Sequence, residues 1–210
     1  MAEAAHGGVQ LSTSSFTPLR TRAKGWATRY FSAPIARALI ALHVTPNMIT
    51  FAGFAVACVA AYIIAEGSLL LGGIVMLAGA VMDMFDGAVA RMTGKASVFG
   101  AFFDSVMDRL GEAAVLFGLL AFYVRDGHTL GAYISVGALV ASLMVSYTRA
   151  RAEGLDIEGD VGFMGRPERI VVLGAGLLLG YPLYALALIL VVAGFTTAQR
   201  VHYVWRKTRS

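Results

Sequence analysis

From residue 45 onward the chain is a succession of apolar runs separated by short loops that carry glycine, proline and charge. An apolar run of about 20 residues, rising 1.5 Å per residue, is what ~30 Å of hydrocarbon demands of a membrane-crossing helix. The expected spans are 45–65, 69–92, 99–123, 129–151, 167–179 and 182–205, with Gly180-Tyr181-Pro182 as the punctuation between the last two. Hydrophobic residues make up 58% of the chain and charged residues 14%, which excludes an ordinary water-soluble domain. The expected fold is an all-α membrane protein, a six-transmembrane-helix bundle.

Basic residues assign the two sides. Six spans put both termini on one side. That side also holds Arg20, Arg22, Lys24, Arg29 and Arg37 before the first span and Arg91 and Lys95 after the second. Arg149, Arg151, Arg166 and Arg169 around the fourth connection and Arg200, Arg206, Lys207 and Arg209 at the end complete it. Of the 17 Lys and Arg, only Arg125, near an opposite loop, and Arg109, inside a span, depart from it. The positive-inside rule makes this side cytoplasmic, in a multi-pass cell-membrane protein. The net charge of +4 is thus a topology signal, and nucleic acid is not an expected partner.

Residues 1–18 are small and polar, without a basic stretch leading into an apolar signal core, and are expected to form a flexible tail. In 19–44, Arg and Lys interleave with Trp26, Tyr30 and Phe31, and Pro34 can open a short helix. That mixture suits an N-terminal amphipathic interfacial helix on the cytoplasmic leaflet, the plainer alternative being a positively charged flank. Residues 45–210 make the six-helix domain. The single cysteine, Cys58, excludes an internal disulfide and is expected to pack as a buried thiol. The histidines lack the spacing of a zinc site.

Four aspartates stand out against this background: Asp83 and Asp86 near the end of the second span, Asp104 and Asp108 near the start of the third. Each charge at bilayer depth costs roughly 2.5–3.5 kcal/mol on insertion scales, so the cluster calls for bound cations. At helical periodicity Asp83 and Asp86 share a face with Gly87 and Ala90, and Asp104 and Asp108 share one with Gly100 and Gly111. Carboxylates supply hard oxygen ligands for Mg²⁺ or Mn²⁺, and the small residues let a phosphate-bearing substrate approach. Asp83 lies ~21 Å into its span, so both pairs sit near the cytoplasmic interface. Helix capping and ion pairing with Arg91 and Arg109 are the structural alternatives. A cation transporter is the competing functional class.

Written out, Asp83-x2-Asp86-Gly87-x2-Ala90-Arg91-x8-Gly100-x3-Asp104-x3-Asp108 meets every fixed position of the signature it resembles, that of the CDP-alcohol phosphatidyltransferases. The resemblance implies six transmembrane helices, a short amphipathic N-terminal element and displacement of CMP from CDP-diacylglycerol by an alcohol. It implies two divalent cations (Mg²⁺ or Mn²⁺) held by Asp83, Asp86, Asp104 and Asp108, with Asp108 also the catalytic base. Carried over in the same way, the CDP-lipid is bound by Thr45, Pro46, Asn47, Met48, Gly87, Arg91 and Ser97. A homodimer is implied too. Read without the resemblance, Thr45-Pro46 is a helix N-cap followed by proline, which is compatible with ligand contact.

The acceptor is addressed by Arg149, Arg151, Arg166 and Arg169, which bracket one cytoplasmic loop and suit a dianionic phosphate better than a neutral polyol. The plainer alternative is that they satisfy the positive-inside rule and pair with Glu153 and Glu168. This segment, with Gln199-Arg200-Val201-His202, resembles the phosphatidylinositol-phosphate synthases of the family, whose acceptor is inositol 1-phosphate. Arg149 where Lys is expected and Gly165 where Glu is expected are departures. Glycerol 3-phosphate, giving phosphatidylglycerol phosphate, or an ether-lipid donor, giving archaetidylinositol phosphate, are the alternatives.

Overall fold

The computed structural model describes residues 33–209. The expected tail 1–18, and residues 19–32 of the expected interfacial segment, lie outside them. The described residues hold helices and no strand: α1 (Ala33–Ala41), α2 (Pro46–Ala65), α3 (Leu69–Thr93), α4 (Val98–Arg125), α5 (Thr129–Glu153), α6 (Arg166–Leu178) and α7 (Pro182–Lys207).

Their ends follow local chemistry. Thr45 caps α2, its Oγ1 accepting from the Met48 N–H at 3.4 Å, with Pro46 in the first turn, where its missing N–H costs nothing. Ser97 caps α4 by accepting from the Gly100 N–H at 3.0 Å. His128 caps α5 through Nδ1, 2.9 Å from the Gly131 nitrogen. At α6, the Glu168 carboxylate accepts from the Gly165 N–H at 2.9 Å and Pro167 stands in the first turn. α3 ends on Gly94 at φ 66°, left-handed backbone that favours glycine.

The helices close into a ring. α2 packs on both α3 and α4, α4 on α5, α5 on α7, α7 on α6, and α6 back on α3, while α1 lies against α3. The core runs through the ring along Ile64, Met76, Leu116, Leu119, Leu177, Leu186 and Ile189. A smaller cluster joins Ala36 of α1 to Ile49, Ala88 and Val89. Outward faces carry exposed large hydrophobics, such as Leu70, Leu71, Ile74 and Val81 on α3 and Tyr133, Val136 and Val140 on α5. In water such faces would be a liability; against lipid they are the required surface. Cys58, expected in the core, lies on the exposed face of α2.

By length and hydropathy, α2, α3, α5 and α7 can each cross a membrane. α4 has the length but carries Asp104, Asp108, Arg109 and Glu112 within its first 15 residues. α6 has 13 residues, ~20 Å of helix, short of the hydrocarbon thickness.

Close packing rests on missing side chains. A Cβ on Gly118 of α4 would stand 2.4 Å from the carbonyl oxygen of Ala61 on α2, so only glycine permits this approach. Gly176 packs against Ala185 of α7 in the same chain. Gly118→Ala is expected to lower stability in detergent by about 1–3 kcal/mol through overpacking. The control Gly194→Ala, whose added carbon meets nothing within 4 Å, should not lower it. Thermal unfolding of the two variants checks this, and an unchanged midpoint for Gly118→Ala would disprove the tight α2–α4 seam.

Candidate active site

α3 and α4 pack on α2 rather than on each other, which leaves a gap between the end of α3 and the start of α4. The four aspartates face this region from both sides. Asp86 is buried: Thr50 Oγ1 donates to its Oδ2 at 2.9 Å, and the Gly87 N–H donates to its Oδ1. Asp83 and Asp108 share one cation. Arg166 places Nη2 2.8 Å from Asp83 Oδ2 and Nη1 2.7 Å from Asp108 Oδ2. Asp104 lies within electrostatic reach of the other three. Gly53 makes room for this arrangement, since a Cβ there would fall 2.3 Å from Asp83 Oδ1.

Two polar cavities adjoin the acids. The first, about 230 Å³, lies beside Asp86 and Asp104 and takes in Pro46, Asn47, Gly87, Arg91 and Ser97 of the residues expected to hold a nucleotide. Thr45 and Met48 are not in its lining; Met48 is 56% exposed. Lys95 adds a second cation to the lining.

The second cavity, about 430 Å³, is lined by Arg109 of α4, Arg149 of α5, Arg166 and Arg169 of α6 and Arg200 of α7. Arg151, expected among them, is exposed and outside the lining, because it sits two residues beyond Arg149 and thus about 200° around the helix. Arg149 is held by Glu153 at 2.8 Å and Asp160 at 3.1 Å. Arg200 is anchored by backbone carbonyls, Nε donating to Val161 at 2.7 Å and Nη1 to Val145. Arg166 Nε and Arg169 Nη1 are buried and meet no protein acceptor among the described residues. Buried donors without partners are costly, and an anion in this cavity would satisfy them.

The acids fit a hard divalent cation by chemistry. Four carboxylates face one region, and a guanidinium already stands between two of them, so the place draws positive charge. As placed, no three Asp, Glu, His or Cys side chains of the described residues converge on a single point. Coordination therefore requires the carboxylates to turn about their own rotatable bonds and Arg166 to yield ground.

Several residues escaped the sequence reading. Thr50 orients Asp86, Gly53 admits Asp83, and Arg200 was noted only as a charge that assigns the sides and as part of a resembling segment. Glu112 pairs with Arg169 through both carboxylate oxygens, at 2.5 and 2.6 Å. Its signal was available: an acid inside an apolar span asks for a partner by the same rule that singled out the aspartates. Gly53 had no such signal, because its role depends on which helix lies opposite.

The sequence pattern of the CDP-alcohol phosphatidyltransferase family matches residues 43–199. The archaetidylinositol phosphate synthase of Methanothermobacter thermautotrophicus is 41% identical over 187 residues, 86% of this chain and 92% of the relative. The crystal structure of Mycobacterium tuberculosis phosphatidylinositol phosphate synthase with CDP-DAG bound superposes with a TM-score of 0.77 at 32% identity, over 83% of this chain and 94% of that one. The same enzyme in complex with manganese and citrate gives 0.78, over 83% and 89%.

Thr50→Val removes the hydroxyl that orients Asp86 while keeping the side chain's shape. It is expected to weaken Mn²⁺ binding by about 10–100-fold, the usual cost of losing a group that orients a ligand, whereas Thr50→Ser retains it. Titration followed by electron paramagnetic resonance measures both, and equal affinity in all three proteins would show that Asp86 does not need the tether.

Proposed function

The chain belongs to the CDP-alcohol phosphatidyltransferase family, and from that membership we propose that it transfers a phosphatidyl group from CDP-diacylglycerol to inositol 1-phosphate, releasing CMP. It is a metal-dependent membrane transferase of phospholipid biosynthesis. The observation that carries the acceptor assignment is the arginine-lined cavity next to the acids, whose Arg166 Nε and Arg169 Nη1 await an anion. A neutral polyol would leave those charges unmatched. The naming of the similar synthases favours inositol phosphate over glycerol 3-phosphate.

In this reading the cytidine diphosphate occupies the cleft of Asn47, Gly87, Arg91 and Ser97. Arg91 grips a phosphate with its planar fork, and Gly87 lets the backbone come close. Two divalent cations, when bound by Asp83, Asp86, Asp104 and Asp108, polarise the attacked phosphorus and neutralise the charge growing on the leaving phosphate. Arg149, Arg166, Arg169 and Arg200 orient the acceptor phosphate. Asp108 takes the proton as the acceptor hydroxyl oxygen bonds to the lipid-bearing phosphorus, and the bond from that phosphorus to CMP breaks. Transport of a cation explains neither cavity.

The same reading carries six membrane spans, with α4 and α6 completing the four apolar ones, and a polar half of α4 facing the ring interior. Both termini are cytoplasmic, α1 lies along the cytoplasmic leaflet, 45–210 form one domain, and the assembly is a homodimer. An archaeal-type ether donor is the second reading, favoured by the 41% identity to an archaetidylinositol phosphate synthase.

Purified protein with Mg²⁺, CDP-diacylglycerol or its ether analogue, and a panel of phosphorylated and free alcohols tests the assignment. CMP release is expected with inositol 1-phosphate; release with glycerol 3-phosphate alone would overturn the acceptor, and preference for the ether donor would select the second reading. Asp108→Asn is expected to lower kcat by about 10²–10⁴-fold, the range of general-base catalysis, with CDP-lipid binding retained. Full turnover in that variant would remove Asp108 as the base. Arg149→Ala should raise KM for the acceptor and leave KM for the lipid donor unchanged, a split that steady-state kinetics reads directly.

A further inference from the structure

α6 rests on α3 and α7, and its backbone does not pack closely on α4. An apolar cavity lies between them, lined by Met107, Gly111 and Val115 of α4 and Ile170 and Leu173 of α6. What spans this gap is a ladder of two ion pairs. Asp108 and Glu112, four residues apart, share a face of α4, and Arg166 and Arg169, three apart, share a face of α6. The lower rung, Glu112 to Arg169, is bidentate at 2.5 and 2.6 Å, with side-chain exposures of 10% and 2%. The upper rung, Arg166 to Asp108, reaches the acids at the very first residue of α6, beyond a long loop.

The loop before α6 is tied to α7, the Met164 N–H donating to Thr196 Oγ1 at 3.3 Å and Arg200 Nε to the Val161 carbonyl, but neither tie sets the start of α6 against α4, where the Arg166 guanidinium must reach Asp108. We propose that Glu112 is a positioning residue: by clamping Arg169 it sets the start of α6 against α4 and so keeps Arg166 between the aspartates and the arginine-lined cavity. Glu112 touches no substrate in this arrangement; it acts through Arg169 and Arg166. The proposal rests on the acceptor reading above only for one of its two measurements.

The test compares Glu112→Gln, which leaves Arg169 intact, with Glu112→Leu/Arg169→Met, an apolar pair of similar volume. Replacing a buried ion pair in this way is often neutral or stabilising, so the double variant stays informative even where Glu112→Gln fails to fold. In both, Arg166 loses its register and relinquishes Asp83 and Asp108. Mn²⁺ affinity without any substrate is expected to rise about 10-fold, and the rise should vanish in an Arg166→Gln background, as for residues coupled in one network. In Glu112→Gln, which keeps Arg169 in the acceptor cavity, KM for whichever phosphorylated alcohol the unmodified protein uses should rise about 10-fold, with KM for the CDP-lipid unchanged; the double variant is read by its Mn²⁺ affinity alone. An unchanged Mn²⁺ affinity, a rise that persists without Arg166, or an unchanged acceptor KM would each overturn the proposal. If the unmodified protein releases no CMP with any phosphorylated alcohol, the acceptor reading falls, while the Mn²⁺ titration still decides the role of Glu112.

Discussion

The organising constraint is negative charge held between apolar helices. Asp83, Asp86, Asp108 and Glu112 lie on two helices packed in an apolar ring, and none can be left there without a counter-charge or a hydrogen bond. Arg166 answers Asp83 and Asp108, Arg169 answers Glu112, and Thr50 and the Gly87 amide answer Asp86. These partners come from α2, α3 and α6, so satisfying the acids fixes how those helices sit around the gap. The ring of helices and the chemistry at its acidic end are in that sense one problem with one solution.

The polar cavities follow from the same arrangement. Asp86 and Asp104 line the first cleft, and Arg166, which holds Asp83 and Asp108, lines the arginine-rich cavity. A CDP-linked lipid and a phosphorylated acceptor both carry dense negative charge, and each is offered cations, Arg91 and Lys95 in the first cavity and the five arginines in the second. Family membership accounts for why the acids, the small residues and Arg91 occur together.

Much of this was legible in one sequence because two periodicities are unambiguous. Apolar runs of hydrocarbon length placed the long helices within about two residues at their ends, with α6 starting at Arg166 and α7 at Pro182. The 3.6-residue repeat put each aspartate pair on one face. The Thr45 cap was readable for the same reason, since it acts within its own turn, whereas Ser97, expected only at the nucleotide, also caps α4. Charge at a loop boundary does not say which side of the helix faces inward: Arg149 and Arg200 line the cavity and Arg151 does not.

Local order thus decided the helices, their caps, the charge asymmetry and the acidic motif, all properties that depend on neighbours a few residues away. Only tertiary structure decided that Thr50 would meet Asp86 across 36 positions, that Gly53 would yield to Asp83, and that Arg169 would clamp Glu112 across 57. Those contacts join residues whose separation along the chain carries no period, so they exist only once the ring has closed and set one helix opposite another.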